Sequence, residues 1–152
     1  MSANSLSEAH LAIQGRLATH WGFTPIQYPG VQGLVDGAQI AMLPEPPTNN
    51  PWIRLDFVDG ASTRASIGGN YMGCFRRAGI AQVAVFVPMQ EGANRLNELK
   101  EYVLTIFEGE MFSGVSCQRA TLGPDRVEGG WLNGVVTVDF EYTRSKTSSL
   151  SA

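Results

Sequence analysis

Residues 5–22, "SLSEAHLAIQGRLATHWG", place Leu6, Ile13, Leu17 and Trp21 at the recurrence of a helix with one apolar stripe. Ser5 and Glu8 stand at capping-box spacing, where hydroxyl and carboxylate satisfy the free N–H groups of a first turn. The helix is therefore expected to begin at Ser5 and to end at a left-handed Gly22. His10 falls on the stripe and reads as a packed or half-exposed histidine, since no second ligand or nucleophile lies at a helical offset from it; His20 is equally isolated. A second stripe, Leu96, Leu99, Val103, Ile106 and Phe107, predicts another helix that ends at Gly109, with Arg95, Glu98, Lys100 and Glu101 turned to solvent.

Between the helices the period changes to two. "WIRLDFVDG" alternates Ile53, Leu55 and Phe57 with Trp52, Arg54 and Asp56, the pattern of a strand with one buried face. Asp59-Gly60 is a turn signal and "ASTRASIG" alternates again behind it, which predicts a hairpin. "IAQVAVFVP" is apolar on both faces, as an interior strand covered from each side would be, and leaves room for a parallel neighbour. A weaker strand is expected over Val115–Thr121, broken by Gly123-Pro124. "WLNGVVTVDFEYTR" sets Val136, Val138, Phe140 and Tyr142 against a polar face of Thr137, Asp139 and Glu141.

The segment 24–51 contains Pro25, Pro29, Pro44, Pro46, Pro47 and Pro51, and each proline removes a backbone donor. It reads as an extended arm with a short strand near Gln39–Leu43, either a lid or a reach towards a neighbouring subunit; the arm is favoured. The fold class that follows is α+β: one mostly antiparallel or mixed sheet of about five strands with two main helices packed on it. Residues 1–144 form one domain and 145–152 a flexible polar tail.

Composition narrows the function classes. A length of 152 residues fits one core, and a net charge of −3 argues against a protein that wraps nucleic acid. Cys74 and Cys117 are far apart without a partnered histidine, so they read as two buried free thiols in a reducing cytoplasm. No stretch has the apolar length of a membrane span, and no membrane partner is expected. The run "GGNYMGCFRRAGIAQVAVFVP" resembles a phosphate loop only superficially. It lacks the Lys-Ser/Thr of a Walker loop, and its glycines precede the strand where a dinucleotide turn has them follow it. Those glycines read as the turn that admits the chain to its central strand. Arg76 and Arg77 are adjacent, and in an extended strand they face opposite sides, which weakens a single-anion cradle. The carboxylates form no facing pair, so no enzyme activity, cofactor or metal is expected.

The order of "TPIQYPG", "PWIRLDFVDG", "RRAGIAQVAVFVPMQEG", "LNELKEYVLTIF" and "GVVTVDFEYTR" resembles that of the tail terminator proteins of long-tailed bacteriophages, over roughly Leu6–Arg144. The resemblance implies a virion structural protein at the head-proximal end of the tail, assembled in the host cytoplasm. It implies a homo-oligomeric hexameric ring that caps the tail-tube protein, stops its polymerisation and docks the head-completion or connector protein. DNA would only pass through the ring, without sequence-specific binding, and a net acidic subunit suits such passage. Tyr28, Tyr71, Arg76, Arg77 and Trp131 are the candidate residues for intersubunit or tube contacts, as exposed aromatics and arginines are favoured there. Two alternatives stay open: another head-tail joining or tail-completion protein, and a small ligand-binding or hydrolytic α+β protein using the Gly68–Arg77 turn.

Overall fold

Helix α1 (Leu6–His20) begins where the capping box places it. Ser5 Oγ accepts from the Glu8 backbone N–H at 3.2 Å and donates to the Glu8 carboxylate at 3.1 Å. These details belong to a computed structural model that describes residues 5–29, 50–64 and 74–145. The helix ends differently from expectation. Trp21, not a left-handed Gly22, closes it in an extended conformation, its N–H still bonded to Leu17 at 2.9 Å. The indole is thereby drawn into the core, and its Nε1 donates to Thr24 Oγ1 at 3.0 Å.

The strands are β1 (Ile26–Gln27), β2 (Trp52–Arg64), β3 (Cys74–Pro88), β4 (Glu110–Phe112), β5 (Val115–Leu122), β6 (Arg126–Glu128) and β7 (Trp131–Ser145). Among the described residues they form one mixed seven-stranded sheet, ordered β1-β2-β3-β7-β5-β4, with β6 also paired to β7. Helix α2 (Gly92–Phe107) follows β3 through a 3-10 turn, Met89–Glu91. The α+β class stands. The sheet is larger than five strands because β1, β4 and β6 have only two or three residues each, too few to show a period.

Two sequence expectations about strand direction need correction. β3 pairs antiparallel with both its neighbours, and the parallel pair is β1 with β2, at the sheet's edge. Asp59-Gly60 does not turn the chain. Asp59 opposes Gly79 and Ser62 opposes Arg77, so β2 carries one extra residue against β3 and then continues to Arg64. That is a β-bulge, in which the pairing beyond the irregularity holds the strand straight through a local turn signal. The expected strand near Gln39–Leu43, the turn at Gly68 and the flexible tail lie outside the described residues.

Both helices lie on one face of the sheet. Ala9, Ile13 and Leu17 of α1 and Leu96, Leu99, Val103, Ile106 and Phe107 of α2 share one core with Ile53, Leu55, Val83, Val85, Val136, Val138 and Phe140. Arg16 ties the helices together: its Nε donates to the carbonyl of Ile106 at 2.7 Å, satisfying one of the free acceptors at the end of α2. The same guanidinium lies 3.6 Å from Glu110 and 4.9 Å from the Phe112 ring centroid. α2 ends as expected, with Gly109 at φ +73° just beyond Glu108. Lys100 departs from expectation. It is buried, and its Nζ donates to Asp125 Oδ1 at 2.5 Å. Its apparent place on the solvent stripe is overridden by the loop between β5 and β6, which brings Asp125 over the helix. Gly134 makes room for the pair: a Cβ there would stand 2.6 Å from Asp125 Oδ1 and 3.0 Å from Lys100 Cδ.

Candidate interface on the open face of the sheet

The face of the sheet away from the helices holds the alternate residues of β2, β3 and β7, and register decides which of them meet. Trp52 opposes Phe86, Phe86 opposes Asn133, and Asn133 opposes Arg126. One step along, Arg54, Ala84 and Val135 make the next row. The Trp52 and Phe86 rings stack at 4.1 Å and 7°, and Trp131 meets Trp52 edge-on at 6.4 Å. Such pairs each contribute about 0.5–1.5 kcal/mol beyond the area they bury. This cluster, with Ala84 and Val135, is a second and smaller core. The end of central strand β3 is thus covered on both faces, by helices on one side and by the aromatic cluster over Ala84 and Phe86 on the other, while Ile80 and Gln82 on the open face are half-buried.

Beside the cluster lies a groove of about 340 Å³, lined by Arg54, Gln82, Phe86, Arg126, Asn133 and Thr137 among others. The Arg54 guanidinium sits 5.3 Å from the Phe86 centroid and 3.3 Å from the Asp56 carboxylate, so it lies over the ring with one exposed counter-ion. Further along the same face the charges alternate. Arg76 reaches Glu141 of its own chain at 4.0 Å, and Arg119 opposes Asp139.

The sequence candidates separate accordingly. Arg76 and Arg77 do face opposite sides: Arg76 is exposed on the open face, while Arg77 is half-buried and opposes Tyr142 on the helix side. Trp131 and Tyr28 are half-buried rather than fully exposed. Trp131 packs on the aromatic cluster and Tyr28 on the main core, where burial raises the phenol's pKa above its usual 10.0. Tyr71 lies outside the described residues. Trp52, Phe86, Arg54 and Arg126 were not singled out in the sequence, because only cross-strand register brings them together. Their one visible signal was an arginine and a tryptophan on the outward phase of an alternating strand. His10 is the packed histidine expected, stacked on Phe57 at 3.8 Å and 7°. Cys117 is buried and free, its thiol pushed up to about 12 by burial, against a smaller opposing effect of Arg16.

On the helix side, Phe23 and Tyr102 stack at 4.5 Å, each a little under half exposed. Among the described residues, no three His, Cys, Asp or Glu side chains gather in a way that would hold a metal ion.

A scan of protein families finds no match to the chain, and a search of curated proteins finds none. Six chains of solved structures match. One of them is similar over 91% of this chain and 96% of its own, with a TM-score of 0.62 and 15% identity. A likeness at that identity is one of fold, and it extends over nearly the whole of both chains.

Proposed function

We propose that the chain is a tail terminator, a virion structural protein that forms a ring on the last ring of tail-tube protein, stops tube growth and presents a docking surface to the head-completion or connector protein. The observation that carries this reading is the one-sided covering of the sheet. Strands of 13 to 15 residues leave one long face free of helices, and that face bears the Trp, Phe and Arg side chains favoured in protein contacts. The order of segments along the sequence, which resembles that of tail terminators, adds to it.

A closed ring joins two different patches of each subunit, so six copies would use both sides of the fold. The candidate contacts are Arg76 and Trp131 on the open face, and Tyr28 and Arg77 on the other. Light scattering on the purified chain, alone and with tail-tube protein, is expected to show a hexamer or its formation on tube ends. Phage lacking the protein are expected to make overlong tails. Normal-length tails without heads would instead identify a head-tail connector, and a chain that stays monomeric and never caps tubes would remove the ring reading.

A further inference from the structure

The groove beside the aromatic cluster has a chemistry of its own, which does not depend on the ring. Its floor is Ala84 and Val135, both small and apolar. Two guanidiniums stand at its rim. Arg54 lies over the Phe86 ring and is paired with the exposed Asp56, and Arg126, itself exposed, has no acidic partner among the described residues. Asn133, 7% exposed, lines it with Gln82 and Thr137, so amide and hydroxyl groups border the apolar floor. Behind the lining residue Phe86, Trp52, 6% exposed, stacks on its ring, and the indole N–H has no hydrogen-bond partner among the described residues. Gly123-Pro124 forms a fixed lip, tied to β7 by the Gly123 N–H to Val135 carbonyl bond at 2.7 Å. The volume, about 340 Å³, suits a few side chains of an extended peptide; ligand sites run from roughly 300 to 1,000 Å³.

We infer that this groove binds an acidic, extended segment of a partner protein, with separate carboxylates on Arg126 and on Arg54 and an apolar side chain on the Ala84–Val135 floor. Charge complementarity selects the occupant. Guanidiniums present paired donors that match a carboxylate, and arginine clusters are a recurrent device for taking acidic segments. Asp56 is a surface counter-ion that an incoming carboxylate replaces at little cost. The apolar floor excludes a purely ionic ligand, and the polar border matches peptide N–H and C=O groups.

The test uses the full chain and two synthetic peptides, Ac-Leu-Glu-Pro-Glu-Leu-Glu-NH2 and its counterpart with every Glu replaced by Gln, titrated by calorimetry and by tryptophan fluorescence at low salt. The acidic peptide is expected to saturate, the Gln peptide to bind at least tenfold more weakly, and Arg126→Gln to lower affinity about tenfold, the effect of one charged hydrogen bond. Arg95→Gln, the same charge change on α2, leaves binding unaltered. No saturation at millimolar peptide, equal binding of the two peptides, or an equal loss in Arg95→Gln overturns the proposal. Free glutarate binding as tightly as the peptide would make this a small-carboxylate site. If Arg126→Gln dissolved an oligomer of the chain while the acidic peptide failed to bind, the occupant would be a second copy.

Discussion

Asp125→Ala strips the counter-charge from an ammonium that has almost no access to water: the Lys100 side chain is 6% exposed and that of Asp125 35%. Removing one member of a buried pair costs about 3–5 kcal/mol, and the partial hydration of this site puts the loss near the lower bound, about 3 kcal/mol. Lys100→Met is the opposite perturbation. Methionine keeps most of the stem's packing over Gly134, and Asp125, already a third exposed, rehydrates, so the loss is about 1 kcal/mol. For a chain of this size each kcal/mol moves Tm by roughly 2–4 °C, which gives drops of about 6–12 °C and 2–4 °C. Urea unfolding followed by tryptophan fluorescence measures both, and the double variant is expected to be more stable than Asp125→Ala alone. Equal losses, or a larger loss in Lys100→Met, would refute the claim that the stranded charge and not the packing sets the cost.

Gly79→Ala puts a Cβ 2.6 Å from Cζ of the buried Phe140 and is expected to destabilise by about 1–3 kcal/mol, with partial recovery when Phe140→Leu is added; unchanged Tm would contradict the close approach. Ser5→Ala removes the cap of α1 and is expected to cost about 1 kcal/mol, read by denaturation, with Ser5→Asp close to wild type. In a Cys74→Ser background, Cys117 is expected to resist thiol reagents at pH 8 until denaturant is added, since burial pushes its thiol from 9.0 up to about 12. The same displacement has a pH signature. Between those two values the unfolded state loses the thiol proton and the folded state keeps it, so stability falls as pH rises through that window and is undiminished below it. A Cys117→Ala variant should lack that part of the alkaline loss.

What could be read from the sequence were features whose causes are local. The Ser5–Glu8 cap, the α2 stripe with its Gly109 stop, and the alternation of β7 each arise from residues within a few positions of one another, and each holds. The features that differ depend on distant partners. Asp59-Gly60 carries a turn signal, yet β3 continues to pair beyond it and the signal becomes a bulge. Lys100 looks like surface until Asp125, 25 residues on, is brought against it. The same limit governs the candidate site. Alternation alone separated Arg76 from Arg77, but Trp52, Phe86, Asn133 and Arg126 form a row only through register across four strands.

Strand β7 borders β3 along its whole length on one side and β5 and then β6 on the other. Without it the earlier described strands are two fragments, β1-β2-β3 and β4-β5, and an unpaired β6, with no ladder between them. Translation delivers β7 after all the others, so a subunit still on the ribosome holds two inner edges open, the kind of surface that captures stray strands. Completion of the sheet then comes in a single late event. The open face, whose rows all include β7, is incomplete until that strand is in place, which ties a subunit's readiness for a partner on this face to the arrival of β7.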